Sequence, residues 1–179
     1  MNAQTEIDLD TLHAAITDAI AAAMPSFRSV QSYPSSRTAL PLPAALVDLE
    51  DFEAAPDADP GTEQLAVVAR FRARVVLGMS TADLQRQVRK AATSLAHVVH
   101  LNRWGLPVEP ARVTVIGPDA FDPELDQYEV WSVEWEQVVH LGASVWVDGV
   151  LPSQVWVGLD PETGPAHVGD YDEVSGGEA

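Results

Sequence analysis

The chain has 179 residues, of which 46% are hydrophobic, so it is long enough to form one domain with a hydrophobic core. It contains no cysteine, which excludes disulfides, thiolate metal sites and cysteine nucleophiles. Its formal net charge of −17 disfavours tight binding to nucleic-acid phosphates or to an anionic membrane surface.

The negative charge is concentrated in the second part of the chain. Arg112 is the last basic residue, and 14 acidic residues follow it. Two interpretations stay open: the acid keeps the protein in solution, or it lines a passage that DNA crosses without binding. An acidic N-terminus without a long apolar run predicts neither a signal peptide nor a spanning helix, and therefore a protein that is cytoplasmic at synthesis.

The first predicted elements are a helix, a loop and a strand. Apolar residues at helical spacing predict a helix over residues 8–24, with Asp8 or Asp10 as its N-cap. Residues 26–43 are rich in proline and serine and predict a loop, with a short strand at 27–32. A strand is expected at 44–52, followed by a turn with the sequence EAAPDADPG.

Residues 64–78 form the clearest strand. Small or apolar side chains at 69, 71, 73 and 75 fall on one face, and Arg70, Arg72 and Arg74 fall on the other. A second amphipathic helix is predicted over residues 81–104, capped by Ser80 or Thr81.

The rest of the chain predicts strands at 112–116 and 128–141, a loop between them, and a hairpin over 143–159 that turns at Asp148 and Gly149. Residues 160–179 predict a mobile acidic tail. The element order predicts an α+β domain, with one mainly antiparallel sheet and two helices packed on one face. The expected divisions are 1–142, 143–159 and 160–179.

The strongest pattern is electrostatic. The arginine row at 70, 72 and 74 has an acidic counterpart in Glu134 and Glu136 on the other long strand, with Asp126 and Glu129 nearby. If the two strands are neighbours, the rows pair across one sheet. The alternative is pairing between subunits, which would suit a head-to-tail ring. These five charged residues are therefore candidate contacts to another subunit or to a partner.

All five tryptophans lie at or after position 104. Trp131 and Trp135 share one strand face and are predicted to lie in the core. Trp146 and Trp156 lie in the C-terminal part, where a small core cannot bury every aromatic ring, so they are candidate partner contacts.

No catalytic or metal-binding signature is present in the sequence. His97 and His100 are three residues apart on the second helix, but no third ligand stands at a fixed spacing from them. The segments DPGT and DPETG are typical of turns, because neither carries a glycine-rich run followed by lysine. We therefore expect no enzyme activity, no cofactor and no metal.

Three segments, preceded by a short helix, resemble the tail terminator (tail completion) proteins of long-tailed phages, including Mu-like phages. They are LPLPAALVDLEDFE (40–53), DPGTEQLAVVARFRARVVLG (59–78) and VWSVEWEQVVHLG (130–142). The resemblance covers roughly residues 8–142.

The resemblance implies a homo-oligomeric ring, expected to be a hexamer, on the head-proximal end of a finished tail tube. Such a ring stops tube polymerisation and joins the tube to the head connector, and DNA passes through its centre. The family uses no cofactor and catalyses nothing. The expected location is the head–tail junction of the virion, after assembly in the host cytoplasm.

The last 37 residues exceed the family's compact form, so they are either a hairpin that reaches a neighbour or a decoration outside the ring. Other readings remain open. The protein could be a head–tail connector or a tube subunit, a part of a tailocin or injection-system particle, or a small ligand-binding or enzymatic domain.

Overall fold

The computed structural model describes residues 6–33, 40–59, 61–119, 128–145 and 155–174. The chain divides into two compact units, Met1–Val145 and Trp146–Ala179. The elements of the first unit are α1 (Leu9–Ala23), β1 (Ser29–Ser32), β2 (Ala44–Ala54), β3 (Leu65–Gly78), α2 (Leu84–Val99), β4 (Arg112–Pro118) and β5 (Tyr128–Leu141). The second unit contains β6 (Val155–Val157), a short 3-10 helix (Pro165–Asp170) and β7 (Asp172–Val174).

The first unit is a five-stranded sheet in the order β1-β2-β3-β5-β4. Every pair of neighbours is antiparallel except β1 and β2, which run parallel. Successive side chains of each strand therefore point to opposite faces of the sheet, and both helices lie on one of these two faces. This confirms the predicted α+β fold.

The core lies between the helices and one face of the sheet. The buried side of α1 consists of Leu12, Ile16 and Ile20. The buried side of α2 packs in the same cluster and consists of Val88, Ala92, Leu95, Ala96 and Val99. At the centre the ring of Phe71 stacks on Trp135 at 5.2 Å between centroids, a near-parallel contact that adds to the free energy of burial.

The start of α1 is fixed by Asp8. Its carboxylate accepts hydrogen bonds from the backbone N–H and the hydroxyl of Thr11, both at 2.9 Å. These bonds favour the ionised form, so the pKa of Asp8 lies below its ordinary value. Asp8, rather than Asp10, is the N-cap.

The ends of α2 differ from those predicted. The helix begins after Asp83, whose backbone is left-handed (φ 52°) and whose side chain pairs with Arg86, so neither predicted cap is used. It ends at Val99 because Leu101 is also left-handed (φ 63°) and donates its backbone N–H to Ala111. The chain turns back toward β4 one turn earlier than the glycine and proline signals indicated.

A buried glutamine holds the connection between α2 and β4. Gln137 of β5 is 1% exposed. Its carbonyl accepts from the indole N–H of Trp104 at 2.8 Å, and its amide donates to the backbone oxygen of Glu109 at 2.6 Å. One side chain thus pairs two polar groups that are removed from water.

β1 is short and covers only the first residues of β2. Beyond it, the hydroxyl oxygen of Tyr33 accepts from the backbone N–H of Leu49 at 2.8 Å. His13 Nε2 lies 3.0 Å from the same oxygen, and His13 Nδ1 lies 2.8 Å from the carbonyl of Leu9. Because a carbonyl can only accept, Nδ1 carries the proton, so neutral His13 accepts from Tyr33 through Nε2. Burial raises the pKa of Tyr33.

The second unit contains a hairpin whose strands differ from those expected. β6 pairs antiparallel with β7, with Trp156 opposite Glu173. β7 lies in the segment predicted to be a tail. The predicted turn at Asp148 and Gly149 lies outside the described residues, as does Asp126.

No helix in the described ranges is long and apolar enough to cross a membrane.

We predict that Gln137→Ala lowers the free energy of unfolding by about 2 to 4 kcal/mol, because it leaves a cavity and removes the acceptor of the buried Trp104 indole N–H. Urea unfolding measures the change. Gln85→Ala is the matched control, since Gln85 is exposed on α2; we expect a change of less than about 0.5 kcal/mol there. Equal losses for the two variants would contradict the role assigned to Gln137.

Candidate functional site

The candidate functional site is the outer face of the sheet, defined as the face that the helices do not cover. Arg70, Arg72 and Arg74 of β3 point to this face, as the alternation predicted, while the residues between them are buried in the core. On β5, Glu136 lies opposite Arg70 and Glu134 lies opposite Arg72. The structure therefore brings all five charged candidate residues together within one chain.

The innermost arginine is Arg74. Its guanidinium pairs with Asp48 of β2 and, through Nε at 2.9 Å, with Asp119 beyond β4. The side chains of Arg74 and Asp48 are 12% exposed and that of Asp119 is 8% exposed. In this sheltered setting, removing one partner of an ion pair is more costly than at an exposed site, because the remaining charge is partly desolvated.

Arg72 lies between two glutamates. It pairs with Glu50 of β2 at 2.8 Å and with Glu134 of β5 at 2.9 Å. Burial raises the pKa of Glu50, and the nearby negative charge of Glu134 adds to this, while Arg72 acts in the opposite direction. The carboxylate of Glu50 is therefore held in a surrounding that disfavours its charge on balance.

Arg70 lies at the exposed end of the row and contacts three carboxylates. It donates to Glu136 through Nε at 3.0 Å, to Asp51 at 3.1 Å and to Glu53. Hydrogen bonds to Glu136, then Glu53 and Asp51, raise the pKa of Arg70 above its ordinary value. These acids are 42% to 62% exposed, so the pairs are solvated and contribute little to stability.

A β-bulge brings the acids of β2 onto the outer face. The register with β3 shifts between Leu49 and Asp51, so that Asp48 lies opposite Arg72 and Asp51 lies opposite Arg70. Without the extra residue, Asp48 and Glu50 would face outward but the next acids would alternate to the other face. The bulge therefore places four carboxylates of one strand beside the arginine row.

Sequence reasoning missed these acids. The segment DLEDFE (48–53) contains the acids of β2, but their irregular spacing does not indicate the face of the sheet on which they lie. Asp119 follows β4 and had no spacing relation to Arg74. Among the described residues, these ion pairs join seven carboxylates to three arginines, and this group of ten side chains has a formal net charge of −4. The face stays negative when Arg112, which lies opposite Glu136, is counted.

The tryptophans take different positions. Trp135 is 1% exposed, in agreement with the core prediction. Trp131 is partly buried against the core, and the guanidinium of Arg89 lies 4.8 Å above its ring. In the second unit Trp156 is 50% exposed. Trp146 lies outside the described residues.

No group of three or more histidine, aspartate or glutamate residues in the described segments has the geometry of a metal site. An open cavity of about 430 Å³ lies between the end of α1 and the first turns of α2. Its lining includes Met24, Phe27, Leu77, Lys90 and Ala91. It contains one charged side chain, so it does not bring an acid and a base together.

The sequence matches no protein-family model. A comparison with curated proteins also finds no match.

We predict that Arg74→Met lowers the free energy of unfolding by about 3 to 5 kcal/mol, because it removes one partner from two ion pairs that are sheltered from water. Arg70→Met is the matched control: it removes the same group, but from solvated carboxylates, so we expect a much smaller loss. Urea unfolding of both variants measures the difference. A larger loss of stability for Arg70→Met than for Arg74→Met would contradict the conclusion that Arg74 has the more sheltered ion pairs.

The raised pKa of Glu50 predicts an unusual pH dependence of the free energy of unfolding. A carboxyl whose pKa is raised by folding stabilises the folded state while it is protonated, and this contribution is lost as the pH rises through the folded pKa. Glu50→Gln removes the titration. We therefore expect the stability of the variant, relative to the parent, to rise from acid to neutral pH. Urea unfolding from pH 4 to pH 7 measures this, and a relative stability that falls with pH would contradict it.

Proposed function

We propose that this chain is a structural virion protein that caps the head-proximal end of a phage tail tube. It stops polymerisation of the tube and joins the tube to the head connector. Two observations support the proposal: the resemblance of segments 40–53, 59–78 and 130–142 to tail terminator proteins, and the single α+β unit that contains these segments.

The observation that carries the proposal is the outer face of the sheet. Its central part is polar and carries more carboxylates than arginines, whereas one end is apolar and is buried around Leu46, Val76 and Val130. Its exposed members, Asp51, Glu53 and Glu136, are available to a neighbouring molecule. A surface of this kind suits contacts between subunits, where charge decides orientation and partner choice.

The three arginines, which are candidate subunit contacts on sequence grounds, do not make the subunit contact in this proposal. Each is engaged with carboxylates of its own chain, so the pairing across one sheet accounts for them. Reversing all three charges would disturb the sheet itself and would not isolate a subunit contact. In the proposal, Arg70, Arg72 and Arg74 hold Glu134 and Glu136 in position, and the exposed acids make the contact.

The overall charge supports the part of the proposal that concerns DNA. A ring of subunits, each with a net charge of −17, repels the phosphate backbone. DNA therefore passes through the ring without specific binding. The partners in this proposal are further copies of the chain in a hexameric ring, the tail tube protein and the head connector protein, and Trp156 offers an exposed aromatic contact.

The test is immunogold electron microscopy of tailed particles from the source lysate, with an antibody against this chain. We expect label at the junction of head and tail and at the head-proximal end of free tails. The stoichiometry per particle, from quantitative mass spectrometry, should correspond to one ring.

Other results would assign the protein elsewhere. Label along the whole tube would identify a tube subunit and overturn the cap. Label at the junction with a second adaptor between this chain and the tube would favour a head–tail connector. Absence of label from every particle would overturn the virion role and favour the ligand-binding or enzymatic reading.

A further inference from the structure

Helix α2 carries a positively charged side whose cations are exposed in the described part of the chain. Its sequence from Leu84 to Val99 contains no aspartate or glutamate. Arg86, Arg89 and Lys90 are all exposed, and they lie within little more than one helical turn. Three of the ten basic residues of the chain are therefore concentrated on one short surface.

These cations are only weakly engaged within the chain. Arg86 pairs with Asp83 three residues earlier, where both side chains are more than 60% exposed. Arg89 donates to Gln85 and lies over the ring of Trp131, and among the described residues it forms no ion pair. Within the part of the chain that the structure describes, Lys90 forms no ion pair. Exposed pairs of this kind contribute little, so the positive charge is available.

The positive helix and the negative sheet face lie on opposite sides of the first unit. α2 packs on the core face of the sheet, whereas the seven carboxylates lie on the outer face. The layer of the sheet separates them, so they cannot meet within one unit. The first unit of each copy of the protein therefore presents a positive surface on one side and a negative surface on the other.

We propose that the α2 side of one copy docks on the outer sheet face of a second copy, in a head-to-tail contact. Arg86 and Lys90 meet the exposed carboxylates Asp51 and Glu53 of the neighbour, and Arg89 supports them from its position over Trp131. The contact is heterologous, because the two surfaces differ, and repetition of such a contact closes into a ring when the rotation allows it.

The two surfaces have similar lengths. The cations of α2 from Arg86 to Lys90 span roughly 6 Å at the rise of an α-helix. The exposed acids of β2 from Asp51 to Glu53 span roughly 7 Å at the rise of a strand. One helix can therefore lie along the acid-rich strand with its cations within reach of the carboxylates.

A second copy fits α2 better than a nucleic acid does. Three cations give a small phosphate-binding surface, and the remaining charge of the chain repels a polyanion. The outer face of another copy offers carboxylates at fixed positions, held by Arg70 and Arg72. Complementary charge on both partners orients the encounter and favours this pairing over like-facing pairs.

This inference rests on the proposed function in one respect: the contact between copies is the one by which the proposed ring would form. Its test uses purified protein and does not depend on where the protein lies in a particle. Label at the head–tail junction without the contact would overturn the contact alone. The contact without label on particles would overturn the cap alone.

Because the chain has no cysteine, two single-cysteine variants report the contact directly. Thr93→Cys places a thiol on the exposed side of α2, and Val138→Cys places one on the outer face of β5. The two chains are mixed in equal amounts and joined with a bis-maleimide that has a flexible arm. We expect mixed dimers to exceed the share that random encounters give, and dimers of like chains to fall below it.

Charge exchange supplies the second part of the test. Arg86→Glu with Lys90→Glu in the Thr93→Cys chain should lower the yield of mixed dimers about tenfold, because attraction becomes repulsion. Asp51→Lys with Glu53→Lys in the Val138→Cys chain should restore the yield. The control is Arg28→Glu with Arg103→Glu, which changes the net charge equally at exposed sites outside α2 and should leave the yield unchanged. Circular dichroism checks that each variant is folded.

Mixed dimers at the random share, or a yield that the reversed pair fails to restore, would overturn the proposal. A different function for α2 would be indicated by a second combination of results. Mixed dimers would stay at the random share, the parent chain would bind a short DNA duplex, and Arg86→Glu with Lys90→Glu would abolish that binding. In that case α2 would be a nucleic-acid surface.

Discussion

The register between β3 and β5 is the constraint on which the rest of the structure depends. It places Arg70 opposite Glu136 and Arg72 opposite Glu134, and in the same alignment it places Phe71 opposite Trp135. A slip of one residue would move the arginines into the core and the aromatic rings into solvent. The buried face and the charged face therefore specify the same register, one by the burial of apolar side chains and the other by charge pairing.

The outer face shows that one arginine row can serve two purposes. At the sheltered end, Arg74 with Asp48 and Asp119 forms a group whose members need each other once they are removed from water. At the exposed end, the acids around Arg70 remain solvated and contribute little to folding. Along β3, the ion pairs therefore change from a sheltered group that stabilises the fold to an exposed group that can contact another molecule.

The charge of the molecule is divided between its faces as well as along its sequence. Acids collect on the outer face of the sheet, and an uninterrupted group of cations lies on α2. Such a division has no benefit for an isolated domain, in which mixed charges would pair locally. It would suit a molecule whose copies associate head to tail, as in the contact proposed above.

Sequence by itself determined most of the fold, because local patterns carried it. The period-two alternation of residues 65–78 and 128–141 fixed the two long strands and their faces, and the spacing of Leu12, Ile16 and Ile20 fixed the first helix. The resemblance to tail terminator proteins also came from sequence, and the virion role remains a proposal. What only the tertiary structure decided were features set by partners distant in the chain. The bulge of β2 exists against β3, α2 ends where its following turn meets the approach to β4, and β6 finds its partner in β7. No local pattern encodes these contacts, because their free energy arises only when the separate segments are brought together.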